Sequence, residues 1–289
     1  HLRFRRQRQM CIRDSSTNIS RVSNKITKLL GDDSFVIQGG SFHAMEYYTR
    51  TIVGSQVGEF WGYESDGIFQ SQDEVDALTY DDDNGVTQLT YGSTVGPGDY
   101  RYVDQNGDGQ LNEEDKIKIG SPYPDFTMGV TGDISYKGFD FNIFMYWSYG
   151  NELFNTVKVF TETPYEQTNM SSYMLTDAWR PDNTTATIAQ LGGDRQNNYS
   201  RSSDRFIEDG SFLRFKNISL GYTIPENVSR KVNIEKLRFY VALQNYFTIT
   251  KYSGRDPELG STWGVFVQKA DLGNYTIPKT LNFGINASF

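Results

Sequence analysis

The sequence predicts an all-β fold, specifically an antiparallel stretch of transmembrane β-barrel wall carrying long loops on one side. Three observations lead there. Several segments of about ten residues alternate strictly between apolar and polar side chains, the period of a strand with one greasy and one wet face. A two-residue turn alternates with long polar stretches, as in barrels with short turns at one rim and long loops at the other. Aromatic residues reach 15% while the hydrophobic fraction is only 37%, with 19 Tyr, 19 Phe and 27 Gly in 289 residues, a balance that suits short amphipathic strands and turns.

Taken in chain order, residues 1–14 stand apart. They hold Arg3, Arg5, Arg6, Arg8 and Arg13 with no apolar period and are not followed by a signal-peptide core. This stretch is read as non-native or disordered, with a phosphate-binding arm as the rival. The chain does not begin with Met and is expected to be a fragment. The structured part is expected to run from 15 to 289, with a first strand somewhere in "STNISRVSNKITKLL", residues 16–30.

The segment "DFTMGVTGDISYKGFDFNIFMYWSYG", residues 125–150, predicts a hairpin. Phe126, Met128, Val130, Ile134 and Tyr136 share one parity, and beyond Lys137 and Gly138 it resumes as Phe139, Phe141, Ile143, Met145, Trp147 and Tyr149. Each arm is about 11 residues, what a tilted barrel strand needs to cross a bilayer. In "FLRFKNISLGYTIP", Ile218, Leu220 and Tyr222 lie on one parity and Leu213 and Phe215 on the other, which predicts a bulge or a membrane boundary near Lys216. Leu237, Phe239, Val241 and Leu243 alternate with Arg238, Tyr240, Ala242 and Gln244 in a further strand. The last is "TLNFGINASF", with Leu281, Phe283, Ile285, Ala287 and Phe289 opposite Thr280, Asn282, Gly284, Asn286 and Ser288. Residues 62–124, 151–210 and 250–278 are read as long loops.

The same alternation fits a soluble sandwich. The polar parities are mostly Thr, Ser, Asn, Gly, Gln and Tyr rather than charged residues, which suits a lumen, and Tyr136, Trp147, Tyr149 and Tyr222 at strand ends suit interfacial girdles. The rival is a secreted, calcium-stabilised β-sandwich that binds carbohydrate. No apolar run approaches the roughly 18 to 20 residues of a spanning helix. Cys11 is the single cysteine, so no internal disulfide is possible, and the formal charge of -8 argues against a nucleic-acid partner.

One loop carries ligand-type spacing. In "DQNGDGQLNEED", residues 104–115, Asp104, Asn106 and Asp108 stand at positions 1, 3 and 5 of a calcium loop, Gly109 at the turn, Gln110 at the carbonyl position, Asn112 at 9 and Asp115 at 12. Asp in place of Glu at the last position reaches a bidentate geometry less easily. The expected cofactor is a structural Ca2+ and no organic group; the alternative is a metal-free turn in which Asn and Asp bond their own backbone. Only His1 and His43 are present, too few for a triad or His-rich metal site, and the carboxylate runs at Asp32 and Asp33, Asp81 to Asp83, and Glu113 and Glu114 read as solvated charge. No enzyme is expected.

These segments, together with "RTIVGSQVGEFWGYESDGIFQ" at 50–70 and "DAWRPDNT" at 177–184, resemble in order the C-terminal part of SusC/RagA-type TonB-dependent outer-membrane transporters of the Bacteroidetes. The resemblance implies part of a plugged barrel of about 22 strands in the outer membrane of a Gram-negative cell. It also implies TonB-driven import of glycans or oligopeptides under a SusD-like surface lipoprotein. The TonB complex would act through an N-terminal region not seen in this chain, and outer-membrane lipid would surround the wall. Tyr173, Trp179, Tyr252 and Trp263 then become candidate sugar-stacking residues. Phe289, with Ile285 and Phe283, resembles the terminal signal read by the outer-membrane assembly machinery. Alone, a segment with open sheet edges is expected to aggregate or fail to insert.

Overall fold

The alternating segments form one antiparallel sheet whose spatial order follows the chain: β1 (Ile12–Ser20), β2 (Phe126–Tyr136), β3 (Phe139–Tyr149), β4 (Phe212–Thr223), β5 (Lys236–Thr250) and β6 (Thr280–Ser288). The computed structural model describes residues 11–30, 36–41, 45–164, 169–260 and 263–289. His1, His43, Asp32 and Asp33 lie outside the described residues. The hairpin is as expected: β2 and β3 pair from Phe126 opposite Tyr149 to Tyr136 opposite Phe139. Lys137 and Gly138 have φ of 49° and 88°, the two left-handed residues that a tight hairpin turn of matching twist requires. Gly138 is needed for a second reason, since a Cβ there would lie 2.7 Å from the Thr223 carbonyl oxygen.

The parity break near Lys216 is a bulge. Along β3, Phe144 faces Asn217 and Met145 faces Phe215, so Lys216 is skipped. Along β5, Phe215 faces Phe247 and Asn217 faces Gln244, which leaves Asn245 and Tyr246 opposite Lys216, with Asn245 at φ 53°. The extra residue swings Leu213 and Phe215 onto the face that already holds Ile218, Leu220 and Tyr222. Apolar side chains then run in unbroken rows across the sheet: Trp147, Leu213 and Ile249 in one, and Ile134, Phe141, Leu220, Val241 and Phe283 in another.

That apolar face is not a core. Leu220 is 46% exposed, Ile249 63% and Phe283 77%, where a sandwich would bury them beneath a second sheet. The secreted sandwich is therefore not favoured. The opposite face carries a polar ladder, in which Asn217 donates to Asn142 Oδ1 at 2.7 Å and Asn142 donates to Asp133 Oδ1 at 2.8 Å. It also holds charge that the small-residue reading underplayed, such as Arg238 donating through Nε to Asp140 at 2.9 Å.

The first strand departs from expectation. It begins at Ile12, inside the basic stretch, and ends at Ser20, so residues 12–14 are ordered strand and 21–30 are not strand. Its register sets Arg13, Ser15 and Thr17 in line with Ile134, Gly132 and Val130, so the apolar rows thin out there.

Short connections, Lys137–Gly138 and 224–235, lie at one end of the sheet, and the described parts of the three long segments, 21–125, 150–211 and 251–279, project from the other. These long segments are not the open loops their polarity suggested. They fold into small sheets, one joining Glu152–Asn155 to Ile207–Asp209 and, in parallel, to Ala270–Asp271, so that two loops share a sheet. Tyr48, Phe60, Phe154 and Phe206 bury themselves among them, with Tyr48 and Phe154 stacked at 4.2 Å. The buried core therefore sits in the loops, above a sheet that is exposed on its apolar side.

Candidate functional site

Two arrangements bring polar side chains together where the loops meet the wall. In the first, Arg214 of β4 points from the polar face and is only 4% exposed. Its Nη2 pairs with Asp256 Oδ1 at 2.5 Å, its Nη1 with Glu258 Oε2 at 2.5 Å, and its Nε donates to Thr248 Oγ1 at 2.9 Å. Lys216 at the bulge holds the other Glu258 oxygen at 2.6 Å. Burial alone would raise the Asp256 pKa, but Arg214 and the backbone N–H groups of Glu258 and Ile277 outweigh it and hold the carboxyl below its usual range. The network fastens the segment after β5 onto the polar face of the sheet.

The second is a cavity of about 350 Å³ between Asn155, Lys158 and Tyr173 on one side and Ser253, Arg255 and Asp271 on the other. Tyr173 walls it, its hydroxyl donating to Glu162 Oε1 at 2.8 Å while Arg205 holds Glu162 Oε2 at 3.0 Å. Burial and the Glu162 charge push the Tyr173 hydroxyl up to about 12. Lys158 pairs with Glu208 at 2.8 Å. Burial opposes the Glu208 charge, yet Lys158, the Ser253 N–H and Asn155 pull its pKa down to about 2. Tyr252 donates its hydroxyl to Asp271, and burial followed by that acceptor raises its pKa.

The structure separates the aromatic candidates. Tyr173 lines the cavity and is 36% exposed, and Trp263 is 43% exposed. Trp179 is buried with Tyr63, Tyr100 and Tyr102, and its Nε1 donates to Gln70 Oε1 at 2.9 Å. Tyr252 is buried against Leu153 and Leu259. Trp179 and Tyr252 are 8% and 5% exposed, so neither ring is open to solvent in this structure. Asn155, Lys158 and Arg255, which also line the cavity, were not singled out from the sequence; isolated polar residues in irregular segments carry no periodic signal.

The loop at residues 104–115 is held by its own backbone. Asp104 accepts from the N–H of Gly107 at 2.7 Å and of Gly109 at 2.8 Å, Asn106 from Asp108 at 3.0 Å, and Asp108 from Gln110 at 2.7 Å. Asp115 is fully buried, one carboxylate oxygen accepting from Gln105 at 3.0 Å and the other from Asn112 at 2.7 Å, and the Asn112 side chain caps the short helical turn Glu113–Asp115. Asn106 Nδ2 lies 3.1 Å from Asp108 Oδ2, so positions 3 and 5 adjoin, whereas the position 12 carboxylate is committed to two N–H groups. Among the described residues no three His, Cys, Asp or Glu side chains form a metal-ligand group. Phe283 and Ile285 of the terminal strand, and Phe289 just beyond it, are 77%, 65% and 89% exposed.

Known proteins match this architecture. No family model matches the chain. It is 32% identical over 281 residues to TonB-dependent receptor P3 of Formosa agariphila, covering 94% of this chain and 26% of that one. It is 31% identical over 280 residues to TonB-dependent receptor SusC of Bacteroides thetaiotaomicron, covering 96% and 24%. The fold superposes on a structure of the RagAB peptide transporter with a TM-score of 0.71 at 23% identity, covering 98% of this chain and 27% of the other. The chain thus spans about a quarter of the length of the curated relatives it matches. An antiparallel wall with an exposed apolar face, long folded loops at one end and this extended identity together place the chain, as a segment, among the SusC/RagA-like TonB-dependent receptors.

Proposed function

We propose that this chain is part of the wall and outer loops of an outer-membrane nutrient importer, energised through TonB and taking up glycans or oligopeptides with a SusD-like surface lipoprotein. The observation that carries the reading is the sheet itself, whose apolar face is exposed across β2 to β6 while the opposite face is polar. Strands of 11 residues such as β2 and β3 have the length of a tilted bilayer crossing. The work is passage and not bond-making, which accords with relatives named as receptors and a transporter. Long folded loops at one end suit contact with a lipoprotein lid. The experiment is to express the full-length protein, fractionate the cell and compare unheated with boiled samples on a gel. Outer-membrane fractionation with heat-modifiable migration is expected, together with co-purification of a lipoprotein encoded beside it. A protein soluble without detergent that migrates identically in both samples would sink the proposal.

Within this reading, Phe289, Phe283 and Ile285 serve assembly and not transport. They are exposed, and their strand alternates without interruption. Deleting Phe289 is expected to lower the amount of heat-modifiable protein while uptake per assembled molecule stays unchanged. Equal yields of assembled protein would remove that role.

A further inference from the structure

The segment 251–279 does not rise freely from the wall; its two ends turn back over the polar face. Arg214 and Lys216 are the third and fifth residues of β4 counted from its loop end, which roots them about 7 and 13 Å down the strand at about 3.3 Å per residue. Arg214 is kept at its own level, since its Nε donates to Thr248 Oγ1 directly across the ladder at 2.9 Å. Asp256 and Glu258 therefore descend to meet the cations. The returning limb is tied to the same point, where the Ile277 N–H donates to the second Asp256 oxygen at 3.1 Å. That limb leaves the wall early, because β6 begins at Thr280 opposite Gln244 while β5 runs on to Thr250, and Pro278 has no N–H with which to extend the ladder. A cavity of about 340 Å³ separates Thr248 and Thr250 from Thr276 and Pro278. Above, the segment is braced by its neighbour: Ala270 and Asp271 pair with Phe154 and Asn155, and Leu259 packs on Leu153. A segment fixed at both ends and at its crown is a strap and not a moving lid.

Resting on the importer reading, in which the polar face lines the passage, we propose that this strap is a fixed constriction that limits the size of solute entering the lumen from the outer side. Polypeptide laid on a sheet takes up to about 10 Å of depth, all of it subtracted from the passage. Arg214 and Lys216 are positioning residues, which set where the strap lies and touch no solute. Matched apolar contacts would hold the segment at a smaller desolvation cost, whereas the charge pairs fix it in one position.

The test is thiol labelling of the full-length protein in intact cells, in a background without other cysteines. The probe position is Asn282→Cys, on the polar side of β6 just below the point where the returning limb joins the strand. N-ethylmaleimide is expected to react there, and a maleimide carried on a long polyethylene glycol chain to be held back. Glu258→Gln frees the strap from Lys216 and from one arm of Arg214 but leaves the Asp256 pair. It should raise the large-to-small rate ratio about fivefold, the scale of a partly exposed ion pair. Lys216→Gln should raise the ratio as well, and Lys216→Arg should keep it at the wild-type value, a distinction by charge that lost packing would not produce. Equal ratios in wild type and Glu258→Gln, free entry of the large reagent in wild type, or a thiol that neither reagent reaches overturns the constriction. Gel migration of the same samples separates the two readings: without heat-modifiable migration in the wild type the importer reading falls, and with it present an unmoved ratio sinks the strap alone.

Discussion

Arg214→Ala is expected to cost the assembled protein roughly 3 to 5 kcal/mol, the penalty for breaking a buried ion pair by removing one partner. The guanidinium is only 4% exposed, and the Asp256 side chain that it meets only 8%. Without Arg214, Asp256 is left as a buried carboxylate whose remaining donors are the backbone N–H groups of Glu258 and Ile277. Glu258 suffers less, because Lys216 still holds it and it is more exposed. Arg214→Met should fare no better, since restoring apolar volume does nothing for Asp256. Combining Arg214→Met with Asp256→Asn should recover part of the loss, because the amide removes the buried charge while its oxygen still accepts a backbone N–H. The temperature at which the full-length protein loses heat-modifiable migration measures this directly. A double variant as unstable as the sum of the single ones would mean that the pair is not coupled.

The same network sets a pH dependence. Asp256 has its folded pKa depressed, so its contribution is present above the unfolded value of about 3.9. It is lost as pH falls through the lower folded value. The gap between wild type and Arg214→Met is therefore expected to narrow below about pH 3.9, as protonation of Asp256 in the wild type removes the charge that Arg214 pairs.

How much of this could be read in advance depends on whether a feature is local. The hairpin of β2 and β3 was legible because its alternation and its Lys137–Gly138 turn both belong to adjacent residues. The bulge was legible too, since skipping Lys216 inverts parity within one strand and leaves a trace between Phe215 and Ile218. The loop core was not. Tyr48, Phe60, Phe154 and Phe206 come from distant segments and share no period, so only the tertiary fold shows that they stack. Trp179 and Tyr252 looked like open loop aromatics for the same reason, because burial within irregular segments is decided by partners far away in sequence. At residues 104–115 the limit is different. Asp and Asn at alternate positions satisfy backbone N–H groups with the same spacing that would gather oxygens round a cation, so spacing alone does not separate the two readings.

The outward face offers the sharpest test of the wall. Val130 sits midway along β2, in line with Met145 and Phe215 on the apolar face, while its neighbour Thr131 faces the other way, opposite Phe144. Val130→Arg is expected to cost about 2 to 4 kcal/mol in a bilayer, whereas Tyr136→Arg, on the same face but at the strand end, should cost about 0 to 1. Thr131→Arg should be tolerated, since it projects toward the polar side. The measurement is reversible folding of the full-length protein into phospholipid vesicles, followed by gel migration across a urea series. The gradient matters more than any single value. Arginine is costly in any apolar core, so a penalty at Val130 alone would not distinguish lipid from protein. Only a bilayer makes the penalty fall from strand centre to strand end along one face, because depth in hydrocarbon sets the cost of the charge and the guanidinium near the end can reach the headgroups. Equal penalties at Val130 and Tyr136 would mean that this face meets protein, and the wall reading would fall with it.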